Sequence, residues 1–127
     1  MFKILIVEDD AELRQLFHHV LTKNGYAVRG VGNGQEALDS LAQDYCDLII
    51  SDIMMPVMDG YQLVRTLRNS GNRIPVLMIT AKDAFDDMQT GFQSGIDDYM
   101  FKPINVNEMV LRVVAGIFKF KTIRLYK

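Results

Sequence analysis

The chain has no tryptophan, one cysteine and three prolines in 127 residues. A lone cysteine, Cys46, can neither close an internal disulfide nor build a cysteine-rich zinc site, which leaves it as a small apolar packing residue. Three prolines and nine glycines exclude collagen-like and Pro/Gly-rich disordered chains. Long hydrophobic runs are also missing. The longest, such as Ile4 to Val7 and Val113 to Phe118, hold four to six residues, against the ~20 that a membrane-spanning helix needs. One lysine and four apolar residues run directly into Glu8-Asp9-Asp10, which is not a secretion signal. The expectation is a soluble, cytoplasmic domain. A cationic excess is lacking too: 14 Lys and Arg against 16 Asp and Glu give a net charge of -2. Direct binding of nucleic acid, which needs phosphate neutralisation, is not expected.

What remains is an ordinary globular composition, 49% apolar and 24% charged, at a length suited to one domain. Charge is segregated along the chain. Residues 1–63 carry 10 acids and 4 bases, and residues 64–127 carry 6 acids and 10 bases. The last ten residues hold four bases and no acid, so the domain is placed at 1–120, with 121–127 as a tail or the start of a linker.

Short apolar runs alternate with helical periods. Strands are expected at 4–7, 27–31, 47–51, 76–79 and 98–101. The first helix carries Leu13, Leu16, Phe17, Val20 and Leu21, with Asp9 or Asp10 as N-cap and Gly25 past its end. Further helices are expected at 35–43, 61–68 (with Leu63, Val64 and Leu67 inward) and 84–93. The last helix begins near Val106. Five βα units with strands apolar on both faces mean a parallel sheet covered on both sides. The natural arrangement is doubly wound, flavodoxin-like, with strand order 2-1-3-4-5.

Ligands in such a sheet bind beyond the carboxyl ends of the strands, where the strand order reverses. Strand 1 ends in Glu8-Asp9, strand 3 in Asp52, strand 4 in Thr80 and strand 5 in Lys102-Pro103. Singly, each has an ordinary reading: helix caps, a loop acid, a solvated lysine. Together they make one site. Three converging carboxylates repel one another unless a cation intervenes. An all-oxygen, partly hydrated site suits Mg2+. A carboxylate held between Mg2+ and an ammonium group is poised for phosphoryl transfer, with Asp52 as the nucleophile.

These residues together resemble the receiver domain of bacterial two-component response regulators. The resemblance rests on Ile4-Leu-Ile-Val-Glu-Asp-Asp10, Ser51-Asp-Ile-Met-Met-Pro-Val-Met-Asp-Gly60, Ile79-Thr-Ala81 and Asp97-Asp-Tyr-Met-Phe-Lys-Pro103. It implies that Asp52 takes a phosphoryl group from a sensor histidine kinase. Glu8, Asp9, Asp52 and the backbone carbonyl of Met54 would hold Mg2+. Lys102 would pair with the phosphoryl group and Thr80 would donate its hydroxyl to it. Tyr99 would be an aromatic switch that turns inward when Thr80 moves, and Pro103 would follow a cis peptide bond. The chain would be a switch rather than an enzyme acting on a separate substrate. The output would be carried by the surface of the fourth helix, fifth strand and fifth helix, and transcription control is the expected kind.

The motifs are closest to regulators with a C-terminal winged-helix DNA-binding domain, which dimerise through that surface by ion pairs around an apolar patch. Asp97, Asp98, Glu108 and Arg112 are kept here, whereas Met88 stands where those relatives carry a base. The last helix has a second apolar stripe at Leu111, Val114 and Phe118. With Phe92 from the fourth helix it would form a phosphorylation-sensitive homodimer, its register fixed by Asp97 and Asp98 near Arg112. Other readings fit less well. A haloacid-dehalogenase-like phosphatase needs an acid where Met54 stands. A flavodoxin-like FMN site needs hydroxyls where Glu8-Asp9-Asp10 stand. A receiver that works without phosphorylation usually lacks one of the acids, the hydroxyl or the lysine.

Overall fold

The computed structural model describes residues 1–81 and 95–125, with side-chain environments through residue 116. The helix expected at 84–93, including Phe92 and Met88, lies outside the described residues. Strands β1 (Lys3–Val7), β2 (Ala27–Val31), β3 (Leu48–Asp52), β4 (Val76–Thr80) and β5 (Asp98–Phe101) alternate with helices α1 (Ala11–Lys23), α2 (Gly34–Gln43) and α3 (Gly60–Asn69), and α4 (Val106–Leu125) follows β5. All strand pairings are parallel and the order is β2-β1-β3-β4-β5, as expected from the sequence.

Successive side chains on a strand face opposite sides, so each buried run feeds two cores. Leu5, Val7, Ile49, Val76 and Met78 pack with Leu63, Val64 and Leu67 of α3 and Ala37 of α2. Ile4, Ile6, Leu48, Ile50, Leu77 and Ile79 pack with Phe17 and Leu21 of α1 and Met109 and Val113 of α4. Cys46 belongs to the first cluster, and burial pushes its thiol up to about 11. It is packing material, as expected.

The helix starts are built from side chains. Asp10 is the α1 N-cap, accepting from the amides of Glu12 and Leu13, which leaves Asp9 free for the cleft above the sheet. Asp59 caps α3 in a reciprocal capping box with Gln62. Gly60 must be glycine, because a Cβ there would lie 2.7 Å from the Asp52 carbonyl oxygen. The β3–α3 loop is thus drawn tightly against the end of β3. Within it Val57 sits at φ 71 in a turn closed by the Met58 amide on the Pro56 carbonyl at 2.7 Å, a costly conformation for a β-branched residue.

One detail differs from the expectation. Leu16 is exposed, because Phe17 and Leu21, flanked by Leu13 and Val20, form the face of α1 that packs on the sheet. The backbone of α4 also continues unbroken past residue 120 to Leu125. Among the described residues no helix is long and apolar enough to cross a membrane.

Candidate phosphoacceptor site

The strand ends meet above the β1–β3 switch point. Carboxylate oxygens of Glu8, Asp9 and Asp52 all lie within 4.8 Å of one another. Asp52 closes β3 and is buried. Its Oδ2 accepts from Lys102 Nζ at 2.7 Å and its Oδ1 from the Met54 amide at 3.3 Å. Lys102 comes from the far side, just after β5, and its peptide bond to Pro103 is cis. Burial opposes the Lys102 charge, but the hydrogen bond and charge of Asp52, with Glu8 and Asp9 beyond, outweigh it and raise the lysine pKa.

Glu8 is the unusual member. It is 2% exposed, and neither carboxylate oxygen has a hydrogen-bond partner among the described residues. Burial, followed by the negative charge of Asp52, pushes its pKa up to about 8. A buried carboxyl group without donors is costly, and a divalent cation is the partner such a group lacks. Three clustered carboxylates, all oxygen donors and one of them facing solvent, fit a hard cation that keeps part of its hydration. Met54 is 78% exposed beside the site.

Thr80 closes β4. It is buried, and its hydroxyl donates to the Ala81 carbonyl at 3.3 Å. Tyr99 is 3% exposed within the core cluster that includes Val76, Met78 and Ile96.

The residues expected on a partner surface are more scattered. Leu111 is 70% exposed and Val114 half-buried on α4. Phe92 and the side chain of Phe118 lie outside the described residues. Both aspartates are engaged within the chain. Asp97 accepts from the Val76 amide at 2.8 Å and pairs with Arg68 at 3.3 Å. Asp98 takes Arg112 Nη1 on both oxygens at 2.9 Å, while Arg112 Nε reaches Glu108 at 3.1 Å.

Two arginines were not anticipated. Arg68 of α3 holds the Gly95 and Asn72 carbonyls as well as Asp97, fixing the entrance to β5. Arg14 of α1 donates to the Glu8 carbonyl at 2.6 Å. The sequence carried one signal for it: a glycine, Gly30, inside a predicted strand, which marks a close approach.

A parallel, doubly wound domain with an acidic cleft bridged by a lysine at its switch point is the class that the fold and site define. The chain belongs to the response regulator receiver domain family, which it matches over residues 4–114. It is 39% identical over 113 residues to the response regulator MprA of Mycolicibacterium vanbaalenii, covering 89% of this chain and 49% of that protein. The chain spans about half the length of the curated relatives it matches. Among solved structures, the receiver domain of Francisella response regulator 1452 superposes with a TM-score of 0.89 at 31% identity, covering 94% of this chain and 99% of that one. The chemotaxis response regulator CheY4 of Vibrio cholerae does so with a TM-score of 0.85 at 32% identity, covering 91% and 98%.

Proposed function

We propose that this chain is a Mg2+-dependent phosphoacceptor switch whose acceptor is Asp52. The observation that carries the reading is the buried Asp52 carboxylate, held by Lys102 at 2.7 Å and by the Met54 amide, beside two further carboxylates. The donor is the phosphohistidine of a sensor histidine kinase, with acetyl phosphate as a small-molecule substitute. A carboxylate oxygen of Asp52 forms the new O–P bond. The N–P bond breaks, its electron pair returns to the imidazole, and that nitrogen takes a proton from solvent. The product is an acyl phosphate on Asp52.

The chain contributes positioning and charge, which is most of what phosphoryl transfer asks of a protein. Lys102 orients Asp52 before reaction and neutralises phosphoryl oxygens after it. Thr80, at the end of the neighbouring strand, exchanges its bond to Ala81 for one to the phosphoryl group. That movement is passed to Tyr99 and β5. Glu8, Asp9 and Asp52, with the Met54 carbonyl, would hold Mg2+, which supplies neutralisation of the oxygens that gain charge. The chain acts on no separate substrate, and the output is a partner interaction, such as homodimerisation, that controls transcription.

The direct test is incubation with acetyl phosphate and Mg2+, followed by intact mass measurement. The expected result is one added phosphoryl group, lost again on standing; no adduct under any Mg2+ concentration would refute the reading. Asp9→Asn should weaken Mg2+ binding by about tenfold or more in calorimetry, since Mg2+ is usually bound through only one or two direct carboxylates and this one faces solvent. Equal affinity would count against Asp9 as a ligand.

Turnover of the acyl phosphate depends on what can orient the attacking water. Met54, exposed at the rim, offers no good hydrogen-bond acceptor. Lys82, two residues past Thr80 in the sequence, lies outside the described residues. Self-dephosphorylation should be slow, and Met54→Asn should speed it several-fold by providing an amide oxygen. A slower or unchanged decay in a Phos-tag time course would contradict this.

A further inference from the structure

Glu8 is held by its backbone from two sides. Its amide donates to the Val31 carbonyl of β2 at 3.0 Å, and its carbonyl accepts from Arg14 Nη1 at 2.6 Å. The second bond is charge-assisted and short. It ties the peptide that joins Glu8 to Asp9 to a helical turn beyond the N-cap. Arg14 reaches that carbonyl by laying its stem across β2. A Cβ added to Gly30 would stand 3.0 Å from both Cγ and Cδ of Arg14, and all three of its nearest atoms belong to that side chain. The far end of the guanidinium lies beside Gly32, whose amide is held by Glu36 Oε1 at 3.0 Å. Arg14 thus connects the acidic turn to β2 and to the β2–α2 loop.

We propose that Arg14 is a positioning residue of the cation site, and that position 30 is glycine so that Arg14 can pass. This rests on the reading of Glu8, Asp9 and Asp52 as Mg2+ ligands. Three carboxylates that repel one another spread apart unless their backbone is restrained. Glu8 and Asp9 flank the one peptide that Arg14 grips. It grips a backbone carbonyl rather than a carboxylate oxygen, so the ligand atoms stay available. Losing a group that orients a ligand typically weakens metal binding by about 10–100-fold.

The test is Mg2+ titration by calorimetry on the wild type and four variants, with circular dichroism and thermal melting on each. Arg14→Met keeps the aliphatic stem over Gly30 and removes the donor. It should raise the Mg2+ Kd about tenfold or more while melting as cooperatively as the wild type. Arg14→Lys, which keeps a donor, should fall between the two. Gly30→Ala, which displaces Arg14, should weaken binding as Arg14→Met does. The double variant should be no weaker than either single one, because both act through the same contact. Wild-type affinity in Arg14→Met, or effects that add in the double variant, would overturn the assignment of Arg14. Absence of Mg2+ binding in the wild type would overturn the metal reading itself, and this proposal with it. Should Arg14→Met fail to fold, Arg14→Lys and Gly30→Ala decide the matter by the same readout.

Discussion

Asp52→Asn should take up no phosphoryl group from acetyl phosphate in the presence of Mg2+, a loss of more than about a hundredfold in labelling rate. The amide keeps the size of the side chain and an oxygen that Lys102 can still reach, but it is not a nucleophile at neutral pH. The fold should survive. Asp52 is buried beside Glu8, and the charge of Asp52 is a main reason, after burial, that Glu8 resists ionisation. Removing that charge relieves a repulsion, so the metal-free variant should melt at or above the wild-type temperature. Mapping the adduct by peptide mass spectrometry completes the experiment. Undiminished labelling of Asp52→Asn, at Asp9 or elsewhere, would move the acceptor to another residue.

The fold was readable because a parallel sheet covered on both faces writes itself plainly. Runs such as Ile4 to Val7 and Leu48 to Ile50 are apolar at every position, and a cleft acid follows each within two residues, Glu8 after the first and Asp52 after the second. The ligand rule for open α/β sheets then gathers Glu8, Asp9, Asp52, Thr80 and Lys102 with no knowledge of side-chain direction. Other features depend on direction, and those were hidden. Leu16 and Leu13 are equally compatible with the period of α1, and only the packing of Phe17 and Leu21 against the sheet decides which is left outside. Asp97 looks like its neighbour Asp98 in sequence, yet it sits where a strand amide and Arg68 both need an acceptor. Arg14 is a surface-helix arginine until the register of β2 is known, for only the pairing of Ile6 with Gly30 places a side-chain-free gap under its stem. Glu8 could be expected at the cleft from its place at the end of β1, but its burial without a donor among the described residues shows only in the folded chain.

The buried carboxyl group of Glu8, with no donor among the described residues, should make the stability of the metal-free protein fall as pH rises. The Glu8 pKa is about 8 in the folded chain, against an ordinary 4.5 when unfolded. The folded state therefore holds a proton that the unfolded state releases between those values. Its contribution to stability is complete below about pH 4.5 and is lost progressively until the pH has passed about 8. Each unit of difference corresponds to about 1.4 kcal/mol, so the decline across this window amounts to a few kcal/mol. Mg2+ reverses the balance, because it binds the ionised carboxylate that burial and Asp52 otherwise disfavour. Near neutral pH its binding should expel close to one proton, read as a dependence of the calorimetric heat on the ionisation enthalpy of the buffer. With saturating Mg2+ the melting temperature should no longer fall between about pH 5 and 8. Glu8→Gln should flatten the metal-free profile, since the amide has no proton to lose, and should bind Mg2+ more weakly without the proton release. A metal-free melting temperature that stays level from pH 5 to 8 in the wild type would show that Glu8 is already ionised and stabilised by contacts other than a cation. Proton release that persists undiminished in Glu8→Gln would assign the titrating group to another of the acids.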